Sequence, residues 1–187
     1  ITNQMSWSAR QKEQLREISA HSMIMNRLIS LYFRQLVHTP MPAEYASVGI
    51  THDIGKIILL QYFPQKYDNI LECMQQKDLD FYASEIELGF EGQTHSEIGA
   101  YFLKQWNLPA SNCEITLYHH TPDLVRETYK ELMQAVLFAD KFTNEIWKSA
   151  AAPVDLSMFN FSELPRATLE EMESLVRREF DEYSEIY

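Results

Sequence analysis

Apolar residues along the chain recur mainly at intervals of three and four, and no stretch alternates apolar and polar positions long enough to read as a strand. From about Trp7 to Val37 the positions Leu15, Ile18, Met25, Leu28, Ile29, Tyr32 and Leu36 keep close to a 3.6-residue period. That spacing predicts a long amphipathic helix stopped at His38-Thr39-Pro40. Pro42 reads as a first-turn residue of the next helix, which runs into Gly49-Ile50-Thr51-His52-Asp53-Ile54-Gly55-Lys56 and the apolar Ile57-Ile58-Leu59-Leu60. Shorter helices are expected from about Pro64 to Gln76, with Tyr67, Ile70, Leu71 and Met74 facing inward, and from Asp80 to Leu88. A break follows at Gly89-Phe90-Glu91-Gly92.

Three Ser/Thr-x-x-Glu patterns mark further helix starts. Thr94-His95-Ser96-Glu97 opens a helix to about Trp106. Ser111-Asn112-Cys113-Glu114 opens a shorter one ending near His119-His120, where Thr121-Pro122 prevents continuation. Thr168-Leu169-Glu170-Glu171 opens the last, with Leu175, Val176 and Phe180 as its apolar stripe. Between them a long helix is expected from Asp123 to about Trp147, carrying Leu132, Val136, Leu137 and Phe138, and then a loop from Ala150 to about Pro165. The fold class is therefore all-α, a compact multi-helix arrangement of about seven to nine helices. Residues 1–150 are expected to form the main helical domain, with the loop and helix of 151–187 packed on it.

Composition narrows the classes. A chain of 187 residues can bury a proper core as one domain or one plus an appendage, and its 5 glycines all fall between Gly49 and Gly99, which favours helices over a turn-rich sheet. With a net charge of −11 and a pI near 4.9, and with no Lys/Arg cluster, the surface repels nucleic acid and anionic membranes, so neither is an expected partner. No segment reaches the ~20 apolar residues of a spanning helix and no leader pattern is visible, so the expectation is a soluble protein. Cys73 and Cys113 match no metal or disulfide spacing and read as small buried hydrophobes, which fits a reducing, cytoplasmic setting. The chain opens on Ile1, which reads as a fragment or a processed chain.

Chemistry concentrates where polar groups interrupt apolar runs. Burying His52 and Asp53 unpaired would cost several kcal/mol. A divalent metal is one compensation, since imidazole and carboxylate suit Zn, Fe or Mn; a solvated His-Asp pair at a bend is the other. Adjacent helical residues point about 100° apart, so both reach one ion only at a helix end or bend, which Gly49 and Gly55 would permit. Glu17 and His21 share a helix face at i,i+4, as ligands or as a surface pair. His119 and His120 could instead cap a helix dipole. Asp140, after Leu137-Phe138-Ala139, calls for an ion, or for Lys141 or Lys148 as partner, unless it is simply exposed.

The ordered series Ile50-Thr51-His52-Asp53-Ile54-Gly55-Lys56, Glu85 to Gly89, Thr94-His95-Ser96-Glu97-Ile98-Gly99-Ala100, Trp106-Asn107-Leu108-Pro109 and His119-His120-Thr121-Pro122 resembles the HDOD domain, a bacterial signalling branch of the HD superfamily akin to HD-GYP phosphodiesterases. The resemblance covers roughly residues 15 to 145 and implies the all-helical HD fold. Carried over, the superfamily's metal ligands fall on His21, His52, Asp53 and Asp140, and the additional ligands of the two-metal type on Glu17, His95, His119 and His120. It implies one or two divalent transition-metal ions (Fe, Mn or Zn) and a metal-dependent phosphohydrolase acting on a phosphomonoester or phosphodiester, a nucleotide among them. Asp53 would bridge the ions while Lys56 steadies developing charge. Two features depart from the pattern: the glutamate and Gly-Tyr-Pro loop that follow the His pair in HD-GYP enzymes are missing, and little is seen of the helical region that usually precedes this segment. The alternative is a regulatory module without catalysis that contacts signalling proteins through its helix faces, its metal structural or absent.

Overall fold

The computed structural model describes residues 7–148 and 166–185. Among them are nine α-helices and no strand. Helix α1 (Ala9–Tyr32) starts at a Ser8 capping box closed by Gln11 and is the axis on which the rest packs. It continues as one π-helical stretch, Phe33–Val37, and stops where His38 turns left-handed at φ 55°.

The segment after it differs from the single helix expected from Pro42. Pro42 instead precedes a 3-10 turn, Ala43–Tyr45, followed by the short helix α2 (Val48–Thr51) and then α3 (Ile54–Tyr62). The interruption between α2 and α3 falls on His52 and Asp53. Helices α4 (Pro64–Lys77) and α5 (Phe81–Glu87) follow, the first opened by Pro64 and the second capped by Asp80, whose side chain accepts from the Ala83 amide at 2.7 Å. Helix α6 (His95–Gln105) starts at the expected capping box, with Thr94 and Glu97 bonding each other's backbone amides.

Helix α7 (Ala110–Tyr118) begins one residue before the predicted Ser111 start, with Pro109 as its N-cap residue. The two polar ends of the presumed box have other partners: Ser111 donates to the Glu44 carbonyl at 3.4 Å, and Glu114 pairs with Arg126. Past α7 the expected long helix is also shortened, because Pro122–Leu124 and Glu127–Tyr129 form 3-10 turns and α8 spans only Lys130–Lys148. Helix α9 (Arg166–Glu185) starts before Thr168, which lies inside its first turn rather than at its cap. The loop expected between Ala150 and Pro165 lies outside the described residues, as does the Phe180 side chain.

Two apolar clusters flank the middle of α1. One joins its C-terminal half (Ile24, Met25, Leu28, Ile29) to α8 (Leu132, Val136, Phe142) and α9 (Leu169, Met172, Val176). The other gathers Ile18 with Leu59 and Leu60 of α3, Tyr67 and Ile70 of α4, and Phe81 of α5. His21 stands on α1 between the two.

Close backbone approach sets the remaining packing. A Cβ on Gly49 would lie 2.4 Å from the Asn26 amide nitrogen of α1, and one on Gly99 would lie 2.9 Å from Thr116 Cγ2 of α7. Small residues thus let α2 and α6 come within reach of their neighbours. Asn112 of α7 donates to Ser47 Oγ at 2.8 Å and Thr51 Oγ1 at 3.1 Å, and Thr116 donates to the Thr51 carbonyl at 3.3 Å. These bonds hold the end of α2, and with it His52, against α7. Cys73 is buried and Cys113 half-buried, both as free thiols. No helix of the described residues is long and apolar enough to cross a membrane.

Candidate metal centre

The break between α2 and α3 lets two adjacent side chains face one pocket, because His52 closes α2 and Asp53, at φ −104° and ψ 12°, precedes α3 without using its carboxylate as a cap. Both are buried, at 1% and 3% exposure. Around Asp53 stand histidines from three other places in the chain. Its Oδ2 lies 3.4 Å from His52 Nε2 and 3.9 Å from His21 Nε2 of α1, and its Oδ1 lies 3.4 Å from His95 Nε2 at the start of α6 and 3.6 Å from His119 Nε2 at the end of α7. His120 joins through its Nε2, 3.1 Å from His95 Nε2. Asp140 of α8 completes the set, its Oδ1 3.2 Å from His21 Nε2.

The donor atoms fall into two groups that could each hold an ion: His21 with His52 and Asp53, and His95 with His119 and His120. Asp53 turns one oxygen toward each. Glu17 lines the same cleft one helical turn before His21, but its carboxylate enters neither group. Lys56 sits one turn into α3, its Nζ 2.6 Å from Asp53 Oδ2 and 5.2 Å from the Phe81 ring centre. Asp140 also accepts from Asn144 at 3.1 Å. The Lys148 side chain, weighed above as its partner, lies outside the described residues.

What points the ring nitrogens inward is the hydrogen bonding behind them. His52 Nδ1 lies 2.9 Å from the Gly49 carbonyl and His119 Nδ1 lies 2.9 Å from the Thr116 carbonyl. A carbonyl only accepts, so in both rings Nδ1 carries a proton and Nε2 is turned toward Asp53, and burial keeps the His52 ring neutral with its Nε2 lone pair facing the carboxylate. The His52 lone pair thus faces Asp53 Oδ2 across 3.4 Å, acceptor against acceptor. Accordingly His52 Nε2 and Asp53 Oδ1 are buried with no hydrogen-bond partner among the described residues. Such orphaned acceptors are costly. A cation in the first donor group would satisfy His52 Nε2 and one in the second would satisfy Asp53 Oδ1, and the imidazole and carboxylate donors suit a divalent transition metal.

Electrostatics follow the same layout. Burial pushes His52 down to about 4 despite the opposing pull of Asp53, and burial beside His119 and His95 also pushes His120 down. Burial alone would raise the Asp53 carboxyl, but it is held well below the usual carboxylate range, the Lys56 ammonium 2.6 Å from its Oδ2 being the strongest influence against burial. Asp140 is likewise lowered, burial being outweighed by His21, whereas Glu17 is raised by burial and by Glu13. His95 is raised, because the carboxylates of Asp53 and Glu85 outweigh its burial.

Glu85 is a residue that the sequence reading passed over as part of a motif. It is 0% exposed on α5, accepting from the His95 amide through Oε1 at 2.7 Å and pairing with His95 Nδ1 through Oε2 at 2.7 Å. The available signal was its place on the inward face of α5, one residue after Ser84 and four after Phe81. Tyr82 was also missed; its ring stacks on His120 at 4.5 Å and 9°. The cleft over the two groups has a volume of about 690 Å³, walled by Leu71, Met74, Leu79 and Phe81 and rimmed by Asp78, Asp80 and Glu145.

The family model for the HDOD domain matches residues 1–122, and the chain belongs to that family. Solved structures share the fold. An HDOD domain protein of unknown function from Geobacter sulfurreducens superposes with a TM-score of 0.65 at 20% identity, over 92% of this chain and 63% of that one. A candidate phosphohydrolase from Shewanella amazonensis SB2B gives 0.63 at 18% identity, over 89% and 60%. A candidate signal transduction protein from Marinobacter aquaeolei VT8 gives 0.66 at 17% identity, over 90% of this chain and 38% of that one. An uncharacterized protein of Treponema pallidum (strain Nichols) is 26% identical over 92 residues, covering 49% of this chain and 18% of its own length. The chain therefore spans less than two thirds of the length of each of these relatives.

Proposed function

We propose that this chain is the HDOD domain of a bacterial, cytoplasmic signalling protein, that it holds one or two divalent transition-metal ions (Fe, Mn or Zn), and that it is built as a metal-dependent phosphohydrolase for a phosphoester or nucleotide. The observation that carries this reading is the convergence of four imidazoles, with His120 beside them, on one buried carboxylate whose two oxygens face separate donor groups. His21, His52, Asp140 and one oxygen of Asp53 would hold the first ion; His95, His119, His120 and the other oxygen would hold the second. When bound, such ions supply Lewis acidity toward a phosphate and lower the pKa of a water toward ~7.

The chain's own residues do the rest. The hydrogen bonds from His52 and His119 to backbone carbonyls keep the rings from turning away, so the donors are oriented before anything binds. Lys56, its ammonium one turn from His52 and partly open to the cleft, offers positive charge to a phosphoryl oxygen. The walls of Leu71, Met74, Leu79 and Phe81 exclude water from one side of the cleft and give the organic part of a phosphoester an apolar surface.

A second reading has its own support. His119-His120 leads directly into the 3-10 turn at Pro122–Leu124 instead of a Gly-Tyr-Pro loop, and Asp78, Asp80 and Glu145 rim the cleft with negative charge. In that case the metal-holding domain acts through helix-face contacts with signalling proteins. Metal analysis of protein purified without chelator, followed by turnover of a generic phosphomonoester and phosphodiester, separates the two. Metal with turnover supports the phosphohydrolase; metal without turnover supports the regulatory domain; protein that takes up no Zn, Fe or Mn overturns the metal centre.

A further inference from the structure

His95 differs from His52 and His119 in what stands behind it. The rings of His52 and His119 are anchored to backbone carbonyls, which any sequence would provide, whereas His95 is anchored to a side chain. Glu85 reaches it twice, once at the backbone amide and once at the ring, both at 2.7 Å, and both residues are 0% exposed. The amide it accepts from belongs to the first residue of α6, one of the donors that no helix can satisfy internally. One carboxylate thus fixes the backbone at the helix start and the ring projecting from it.

The ring is held from other sides as well. Phe81 and Tyr82, on the helix that carries Glu85, meet it edge-on at 5.3 and 6.3 Å. Its Nε2 is left facing three donors of the second group, 3.1 Å from His120 Nε2, 3.4 Å from His119 Nε2 and 3.4 Å from Asp53 Oδ1. Burying a carboxylate carries a desolvation cost that its hydrogen bonds must offset, and Glu85 directs both of its bonds to one histidine.

We propose that Glu85 is a positioning residue of the metal centre: its doubly hydrogen-bonded carboxylate fixes the ring of His95 with Nδ1 protonated, so that Nε2 is presented to the group formed with His119, His120 and Asp53. The role rests on the metal-centre reading above. With both oxygens committed to His95, Glu85 would not itself hold an ion or a substrate. It acts through His95, as a carboxylate behind a ligating imidazole does, where loss typically costs 10- to 100-fold in metal affinity.

The test uses the full chain, with Zn²⁺ titrated against a chromophoric chelator, and ¹⁵N-resolved imidazole NMR of the metal-free protein at matched pH. Glu85→Gln keeps the shape but can accept only one of the two hydrogen bonds. It is expected to weaken the tighter or weaker Zn²⁺ step contributed by the three-histidine group by about 10- to 100-fold, and to abolish the slowly exchanging Nδ1 proton of His95. Leu132→Ala, which lies outside both donor groups, supplies a comparable loss of stability and should leave both readouts unchanged. If Glu85→Gln does not fold, Glu85→Asp, which keeps the charge with a shorter reach, is expected to give an intermediate loss. Wild-type affinity and an intact Nδ1 proton in the folded variant overturn the proposal. If the wild type itself takes up no Zn²⁺, the metal-centre reading fails, and positioning is decided by NMR: loss of the Nδ1 proton in the variant upholds it and its persistence overturns it.

Discussion

Gly55 packs against the backbone of His95 so closely that a Cβ on Gly55 would stand 1.8 Å from the His95 carbonyl oxygen. The residue two after Asp53 is thus in contact with the start of α6, and the carboxylate of one helix break is brought beside a ring from the next. Gly55→Ala has no flexible side chain to displace, only backbone, so about 3 kcal/mol should be lost, the upper end of the usual overpacking cost. Urea unfolding of the purified variant checks this; a loss under 1 kcal/mol would mean that the α3–α6 approach is looser than described.

Asp53 is shared by both donor groups and His21 by one. Since a carboxylate behind a ligand is already worth 10- to 100-fold in affinity, removing the shared one should cost about 100-fold or more at both groups. Asp53→Asn is expected to purify without metal, while His21→Ala keeps the ion held by His95, His119 and His120. Elemental analysis of the two variants decides it; equal metal content in Asp53→Asn and wild type would remove Asp53 from the centre.

Acid should destabilise the metal-free protein. The folded state holds His52 at about 4 against an ordinary 6.5, so it refuses a proton that the unfolded chain accepts. That contribution is complete above pH 6.5 and is lost as the pH falls toward 4, to the extent of about 3 kcal/mol. His120, also lowered, adds in the same direction. His95 opposes them: being raised, its contribution is present below 6.5 and is lost as the pH climbs through its folded value. Glu17, also raised, opposes them as well; the His52 loss is expected to prevail, leaving lower stability at pH 5 than at pH 7.5, readable by urea unfolding after chelation. Greater stability at pH 5 would contradict the burial of His52.

Thr94 caps α6 through its hydroxyl, so Thr94→Ala should cost about 1 kcal/mol. Phe142, 0% exposed in the α1–α8–α9 cluster, should cost about 3 to 5 kcal/mol on truncation to alanine. The two variants, compared by denaturant midpoint, separate a local start signal from the core it serves.

What could be read from the residues alone was mostly local. Pro64, Asp80 and the Thr94–Glu97 box carry their partners within four positions, and the helices they open start where expected. Ser111–Glu114 has the same pattern and was misread, because Glu44 and Arg126, remote in sequence, compete for its side chains. The π-helical turn at Phe33–Val37 and the 3-10 turns before α8 leave apolar spacing almost unchanged, so periodicity could not announce them. His21 and Asp140 are partners across more than a hundred residues, a pairing that only the family resemblance supplied. Glu85 escaped because a glutamate in a short helix looks solvent-facing until the histidine opposite it is known.

Since the nitrogen and oxygen donors come from α1, the α2–α3 break, α6, α7 and α8, the pocket they form exists only when all five have docked. A denatured chain has nothing comparable to offer, so any occupant draws the equilibrium toward the native state by mass action, by about 2.7 kcal/mol at a hundredfold excess over its dissociation constant. Thermal melting curves would therefore report occupancy directly, and a panel of cations and phosphate compounds could be ranked by midpoint alone, with no substrate yet in hand.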